Sequence, residues 1–205
     1  MIQDPKKERQ ENVSGSSNKI YTEEVKVTGE RYTSKDFMEK ELSKLWSKVW
    51  NIGGWSRELE NQGDFVIHHI GRESILMVKE KNNTVKAYHN VCPHRGNRLV
   101  HVDSGHVKEF TCTYHGWKFN YSGDLIYAQD EEDFPQGNPC GKVKLSEIPC
   151  EEYAGFIWYN MDKNCFPLKG FLGEVTKYID MFDNDGLKRV YHKVCEVPFN
   201  WKALR

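Results

Sequence analysis

Long apolar runs are missing from this chain. The longest uncharged apolar stretch, Ala154 to Met161, falls far short of the roughly 20 residues that a membrane-spanning helix needs. A charge excess is missing too. Lys and Arg number 29 against 30 Asp and Glu, a net charge of −1, and no basic tract or basic helix face stands out. Bulk electrostatic binding to nucleic acid or to a membrane surface is therefore not expected. The opening residues, MIQDPKKERQENVSGSS, contain no apolar segment of the kind a secretory signal carries. Cysteine is scarce, with six in 205 residues and no Cys-x-x-Cys pair, too few for a disulfide scaffold. The expectation is a cytoplasmic protein with reduced thiols.

The length of 205 residues allows one domain with an extension, or two small domains. Residues 4–19 hold a single aliphatic side chain, Val13, so 1–32 reads as a mobile tail that cannot bury enough to offset its ordering entropy. Over 33–54 the pattern changes. Phe37, Met38, Leu42, Leu45, Trp46, Val49 and Trp50 recur at helical spacing after a Thr33-Ser34-Lys35-Asp36 capping pattern, and Gly53-Gly54 reads as the helix end. From Asp64 onward the texture is of short strands: Asp64–Ile70, Ser74–Lys79, Thr84–Asn90, Val107–Thr113, Trp117–Tyr121, Leu125–Tyr127 and Tyr153–Asn160. A mainly β, antiparallel sandwich or barrel over 55–162 follows from that spacing. A second helix over about Gly170 to Met181 and a strand over about Lys188 to Pro198 are expected in a final segment, 163–205.

Two segments carry chemistry: Cys92-Pro93-His94-Arg95-Gly96 and Cys112-Thr113-Tyr114-His115-Gly116-Trp117. They supply Cys-x-His and Cys-x-x-His, a pairing whose chance occurrence in this composition is on the order of one in a thousand. Two thiolates and two imidazoles, from Cys92, His94, Cys112 and His115, suit a metal centre. A structural zinc site is one reading. Zinc ribbons, however, usually show Cys-x-x-Cys knuckles. One Cys and one His from each loop is the donor set of a [2Fe–2S] centre in which two histidines replace two cysteines. Gly96 and Gly116 then let the backbone approach the bridging sulfides.

CPHRG and CTYHGW resemble the Rieske motif of aromatic-ring-hydroxylating oxygenases. The likeness extends to LWSKVWNIGGW, GDFVIHHIGRESILMVKEKNNTVKAYHNVC, YAGFIWYNMD and VPFNWK, all similar to the α subunit of those enzymes. It implies a Rieske-type antiparallel β-sandwich over 55–162, with a small cluster-binding subdomain, preceded by the N-terminal helix and followed by a linker. It implies a Rieske [2Fe–2S] cluster with Cys92 and Cys112 on one iron and His94 and His115 on the other. Respiratory Rieske proteins carry an extra disulfide-forming Cys in each loop; Asn97 and Tyr114 stand there in this chain. Those proteins also have a Ser that hydrogen-bonds a sulfur where this chain has Trp117. Fewer donors imply a potential nearer about −150 mV than +300 mV.

The resemblance further implies an oxidoreductase, a mono- or dioxygenase as the parent protein. A reductase or ferredoxin would reduce the cluster, which would feed a mononuclear Fe(II) that activates O2, usually in a neighbouring α subunit of a homo-oligomer. In the family the ligands of that iron follow the NWK segment. Here Asn200-Trp201-Lys202 precedes only Ala203, Leu204 and Arg205, and the only His after the two motif loops is His192. The expectation is the electron-transfer portion of such a subunit, with 163–205 as linker and truncated start of the catalytic domain, and no catalytic residue of its own. A free-standing Rieske ferredoxin is the alternative. His68, His69, His101, His106 and His192 lack ligand-like spacing and read as structural or exposed, and His89, three residues before Cys92, reads as packing beneath the loop and not as a ligand. Asp130 to Asp133 reads as a solvated acidic loop, with a docking patch for the electron donor as its alternative.

Overall fold

The computed structural model describes residues 27–187 and 190–204, and most of the expected tail lies outside them. The described residues divide into two compact units, with the boundaries between Phe37 and Met38 and between Pro198 and Phe199. In the smaller unit the Lys202 ammonium lies 5.7 Å from the Tyr32 ring centre and 5.4 Å from that of Phe37. Asn200 donates to the Tyr32 carbonyl at 3.3 Å. These contacts hold a helical turn, α1 (Glu30–Thr33), where the sequence reading extended the tail to residue 32. Helix α2 (Lys35–Glu41) follows and starts at Ser34, whose Oγ accepts the Phe37 N–H at 3.2 Å.

The helix expected over 33–54 is shorter than that. After α2 it loosens into a π-helical turn, Leu42–Trp46, and Asn51 Nδ2 caps the freed carbonyls of Trp46 and Val49 at 3.0 and 2.9 Å. Gly53 and Gly54 lie in a strand, β1 (Asn51–Trp55). The reason for glycine is packing. A Cβ on Gly53 would lie 2.3 Å from Met77 Sδ and 3.1 Å from the Tyr159 ring.

The larger unit is mainly antiparallel β. A five-stranded sheet orders β5 (Ser104–His106), β2 (Asp64–Ile70), β3 (Glu73–Lys79), β4 (Val85–His89) and β9 (Glu147–Ile148). A three-stranded sheet orders β1, β11 (Phe156–Tyr159) and β10 (Cys150–Tyr153). A small sheet joins β6 (Phe110–Thr111), β7 (Lys118–Phe119) and β8 (Leu125–Tyr127). Strand β3 explains the layering. Successive side chains in a strand point to opposite faces. Ile75 and Met77 enter a core with Val66, Ala87, Ile157 and Tyr159, shared with the β1-β11-β10 sheet. Leu76 and Val78 enter a second core with Phe65, Tyr88, Phe110, Phe119 and Leu125, shared with the small sheet. A run apolar on both faces is what a central layer requires.

Several expected elements divide. Tyr153–Asn160 is not one strand: Ala154 and Gly155, at φ +52° and +78°, turn the chain between β10 and β11. The segment Val107–Thr113 keeps only its middle two residues, as β6. The helix over Gly170–Met181 breaks at Gly173 (φ +52°) into α3 (Leu168–Leu172) and α4 (Val175–Ile179). Trp50 and Trp158 bury Leu168 at its start, and Trp50 Nε1 donates to the Phe166 carbonyl at 2.8 Å. Residues 190–198 form no strand, and 188–189 lie outside the described residues. Among the described residues no helix is long and apolar enough to cross a membrane.

Candidate metal centre

Strand β4 delivers the first motif and β6 the second. The two loops close in the same way. Cys92 N–H donates to the Asn97 carbonyl at 2.8 Å, and Cys92 O accepts the Gly96 N–H at 3.0 Å. Cys112 N–H donates to the Trp117 carbonyl at 2.8 Å, and Cys112 O accepts the Gly116 N–H at 2.9 Å. Each loop turns at its glycine, with φ +72° at Gly96 and +69° at Gly116, a conformation that penalises any side chain. A Cβ on Gly96 would meet nothing within 4 Å, so the backbone angle and not crowding is what demands glycine there.

Asn90 anchors the first loop. It is buried, donates to Ser74 Oγ at 3.1 Å and to the Val100 carbonyl at 2.8 Å, and accepts the Val100 N–H at 2.8 Å. The loop is thereby tied to β3 on one side and to Val100, where the chain leaves the loop, on the other. Neither Asn90 nor Asn97 was singled out by the sequence as part of the site's scaffold. An amide directly before an apolar-Cys pair was the only signal for Asn90.

The four expected donors come together, thiols inside and imidazoles outside. Cys92 and Cys112 are 1 % and 2 % exposed, within the core under the small sheet. His94 and His115 are half-buried above them, ring centres 4.6 Å apart at 63°. Trp117 lies flat on His94, at 4.5 Å and 4°, and is itself braced edge-on by Phe134 at 5.9 Å. Tyr114 leans on His115 at 3.8 Å. An open cleft of ≈ 340 Å³ adjoins both imidazoles, bordered by Arg95, Trp117, Asp130 and Asp133.

Burial pushes the Cys92 thiol up to about 11, helped by its hydrogen bond with Cys112 and opposed by the His94 N–H. Burial also pushes the Cys112 thiol up. There the N–H groups of Tyr114 and His115, the Cys92 thiol and Asn97 outweigh it, and the net direction is down. Burial, then the charges of His115 and Arg95, hold His94 below the ordinary imidazole value, in the neutral form a metal requires.

Other histidines are engaged elsewhere. His68 Nδ1 meets Tyr159 Oη at 2.8 Å, His69 faces Asp103 at 3.4 Å, His89 faces Glu73 at 3.3 Å and His106 faces Asp64 at 2.8 Å. The six cysteines are all free. Among the described residues, no three His, Cys, Asp or Glu side chains converge as ligands of a single metal ion.

Comparison with known proteins agrees with this geometry. The family described as Rieske [2Fe-2S] domain matches residues 49–145. The chain is 30 % identical over 177 residues to the biphenyl 2,3-dioxygenase subunit alpha of Rhodococcus jostii (strain RHA1), covering 83 % of this chain and 38 % of that protein. It is 33 % identical over 175 residues to the carnitine monooxygenase oxygenase subunit of Escherichia coli (strain K12), covering 84 % and 46 %. A solved naphthalene 1,2-dioxygenase superposes with a TM-score of 0.68 at 30 % identity, over 75 % of this chain and 35 % of that one. A quaternary ammonium Rieske monooxygenase superposes with a TM-score of 0.71 at 28 % identity, over 76 % and 45 %. The chain thus spans less than half the length of these relatives. The matched region, the fold and the paired Cys/His loops all lead to one assignment: residues 49–145 form a Rieske [2Fe–2S] domain, and Rieske oxygenase α subunits are the chain's relatives.

Proposed function

We propose that Cys92, His94, Cys112 and His115 hold a Rieske [2Fe–2S] cluster and that the chain is the electron-transfer portion of a ring-hydroxylating oxygenase α subunit. The observation that carries the reading is the pairing of two like-closed loops, each offering one buried sulfur and one half-exposed imidazole. Two donors of each kind on two levels suit two irons better than the single tetrahedral ion of a zinc site. When bound, such a cluster supplies a one-electron redox centre.

The chain's own residues do the rest. Cys92 and Cys112 give anionic sulfur on the core side, where backbone N–H groups from His94, Tyr114 and His115 offset the charge. His94 and His115 give neutral imidazoles at the rim of the cleft, so an electron entering or leaving on that side has the shortest path to a partner. The core under the small sheet excludes water from the sulfurs. The electron donor in this reading is a reductase or a ferredoxin. The acceptor is a mononuclear Fe(II) that activates O2, held by a part of the protein outside these residues. A solved structure of a quaternary ammonium Rieske monooxygenase is described as revealing insights into inter-subunit electron transfer, and transfer to a neighbouring subunit of a homo-oligomer is part of the same proposal. So are a cytoplasmic location and an aromatic substrate, the latter supported by the benzene and biphenyl dioxygenase relatives.

Low-temperature EPR before and after dithionite tests the proposal, with iron and acid-labile sulfide assayed on the same sample. A rhombic signal of low average g, present only after reduction, is expected. Cys92→Ala is expected to abolish it together with the visible chromophore. Zinc without iron or sulfide would overturn the reading.

A further inference from the structure

Asn97 touches both halves of the paired motif. Its main-chain carbonyl accepts the Cys92 N–H at 2.8 Å and so closes the first loop. Its side-chain Nδ2 donates to the neighbouring Arg98 carbonyl at 2.9 Å, which fixes the orientation of the amide. The reversed amide would set two carbonyl oxygens against each other, so the hydrogen-bond pattern itself assigns nitrogen to this position. The same nitrogen approaches Cys112 Sγ, in the opposite loop, at 3.9 Å, where a sulfur still accepts. One amide hydrogen thus goes to Arg98 and the other is free for the sulfur. By its place in the sequence, Asn97 is only a missing half-cystine. In the folded protein it supplies a cross-loop link of a different kind.

We infer that Asn97 is a positioning and tuning residue for the metal centre, its side-chain N–H stabilising added negative charge on the Cys112 sulfur and raising the reduction potential. The inference rests on the cluster reading above. An electron added to an iron–sulfur centre increases the negative charge carried by its thiolates, and a hydrogen bond to a ligand sulfur favours that reduced form. Backbone donors from His94, Tyr114 and His115 would remain whatever stands at position 97. Asn97 is the contribution that a single substitution removes.

The test is a redox titration of the whole chain, followed by EPR, for wild type, Asn97→Leu and Asn97→Asp. Leucine has nearly the same size and no donor. Aspartate keeps the shape and replaces the donor by an acceptor. Each is expected to lower the reduced-to-oxidised ratio at a fixed applied potential by about tenfold, about 59 mV for a one-electron couple, with aspartate at least as low as leucine. Pulsed EPR of the reduced protein in H2O and D2O gives a second readout, one exchangeable-proton coupling fewer in the leucine variant. An unchanged or raised potential in a cluster-loaded variant would overturn the inference. So would failure of both variants to load a cluster that wild type loads, which would make Asn97 a loop-folding residue only. Wild type without the reduction-dependent signal would instead bring down the cluster reading, and this inference with it.

Discussion

Replacing Trp117 by alanine perturbs stability and the metal centre together, and the structure sets the size of the effect. The indole is 5 % exposed. It covers one face of His94 at 4.5 Å and meets Phe134 at 5.9 Å and Phe119 at 6.4 Å. Truncating a buried Trp to Ala costs about 3–5 kcal/mol through lost transfer energy and the cavity left behind. For a domain of this size each kcal/mol moves Tm by about 2–4 °C, so a loss of about 4 kcal/mol lowers Tm by roughly 8–16 °C. Calorimetry on samples matched for iron content measures this. Trp117→Phe keeps an aromatic face and is expected to recover more than half of the loss. The imidazole of His94 loses its backstop in the alanine variant, so the reduced EPR signal is expected to broaden there and stay narrow in the phenylalanine one. A Tm within about 2 °C of wild type for Trp117→Ala would refute the packing argument, since that is under 1 kcal/mol.

The buried ion pair makes an asymmetric prediction. Lys79 Nζ lies 3.3 Å from Glu152 Oε2, with side chains 7 % and 31 % exposed. Glu152→Gln leaves a buried ammonium unpaired and is expected to cost about 3–5 kcal/mol, whereas Lys79→Met frees a carboxylate that water can reach and should cost less; equal losses in urea unfolding would contradict this. His68 gives a pH signature. Burial first, then the charge of His69, holds its folded value below 6.5, so the unfolded chain takes the proton first. Stability contributed by neutral His68 is present above about 6.5 and lost as pH falls through the lower folded value. Wild type should therefore lose stability over that window faster than His68→Gln, and parallel curves would count against the burial argument. Finally, Phe171, Val175, Tyr178, Met181 and Phe182 form an exposed apolar run around α3 and α4. Binding of an apolar-surface dye to the isolated chain is expected, and Tyr178→Lys with Phe182→Lys should reduce it; clean monomeric behaviour without dye binding would refute it.

The site was legible because ligand chemistry is local. Cysteine and histidine at short spacing, with a glycine at each loop end, are the pattern expected of a metal centre wherever the loops lie, and the structure brings Cys92, His94, Cys112 and His115 together. The strands β2 and β8 were legible too, since turn residues bound them directly. What misled was glycine and continuous apolar sequence. Gly53-Gly54 carries the same letters whether a helix ends there or a neighbouring methionine needs room. Only the pairing of β1 with β11, more than a hundred residues away in sequence, decides between them. The run from Tyr153 to Asn160 is apolar on both sides of a single Gly155, and its break depends on positive φ at Ala154 as well as at Gly155, where alanine gives no turn signal.

The residues that the sequence hid share one property. Asn90 and Asn97 have no metal-binding or acid–base chemistry, so their position beside the first motif is all that marks them. Their importance lies in where their amides are held. Asn90 fastens the first loop to β3, the strand whose two faces build both cores. Asn97 carries that fixed loop across to the sulfur of the second. The central strand, the loop and the opposite cysteine therefore form one mechanical path from the core to the metal centre. A perturbation of β3 should be felt at Cys112 as well as in global stability. Met77→Ala opens a cavity on the face of β3 away from the loops, and Leu76→Ala opens one on the face beneath them. Both are expected to destabilise by about 2–5 kcal/mol. Only Leu76→Ala should shift the reduction potential of the surviving folded protein. Equal shifts from the two would show that global loosening, and not the path through Asn90 and Asn97, reaches the sulfur.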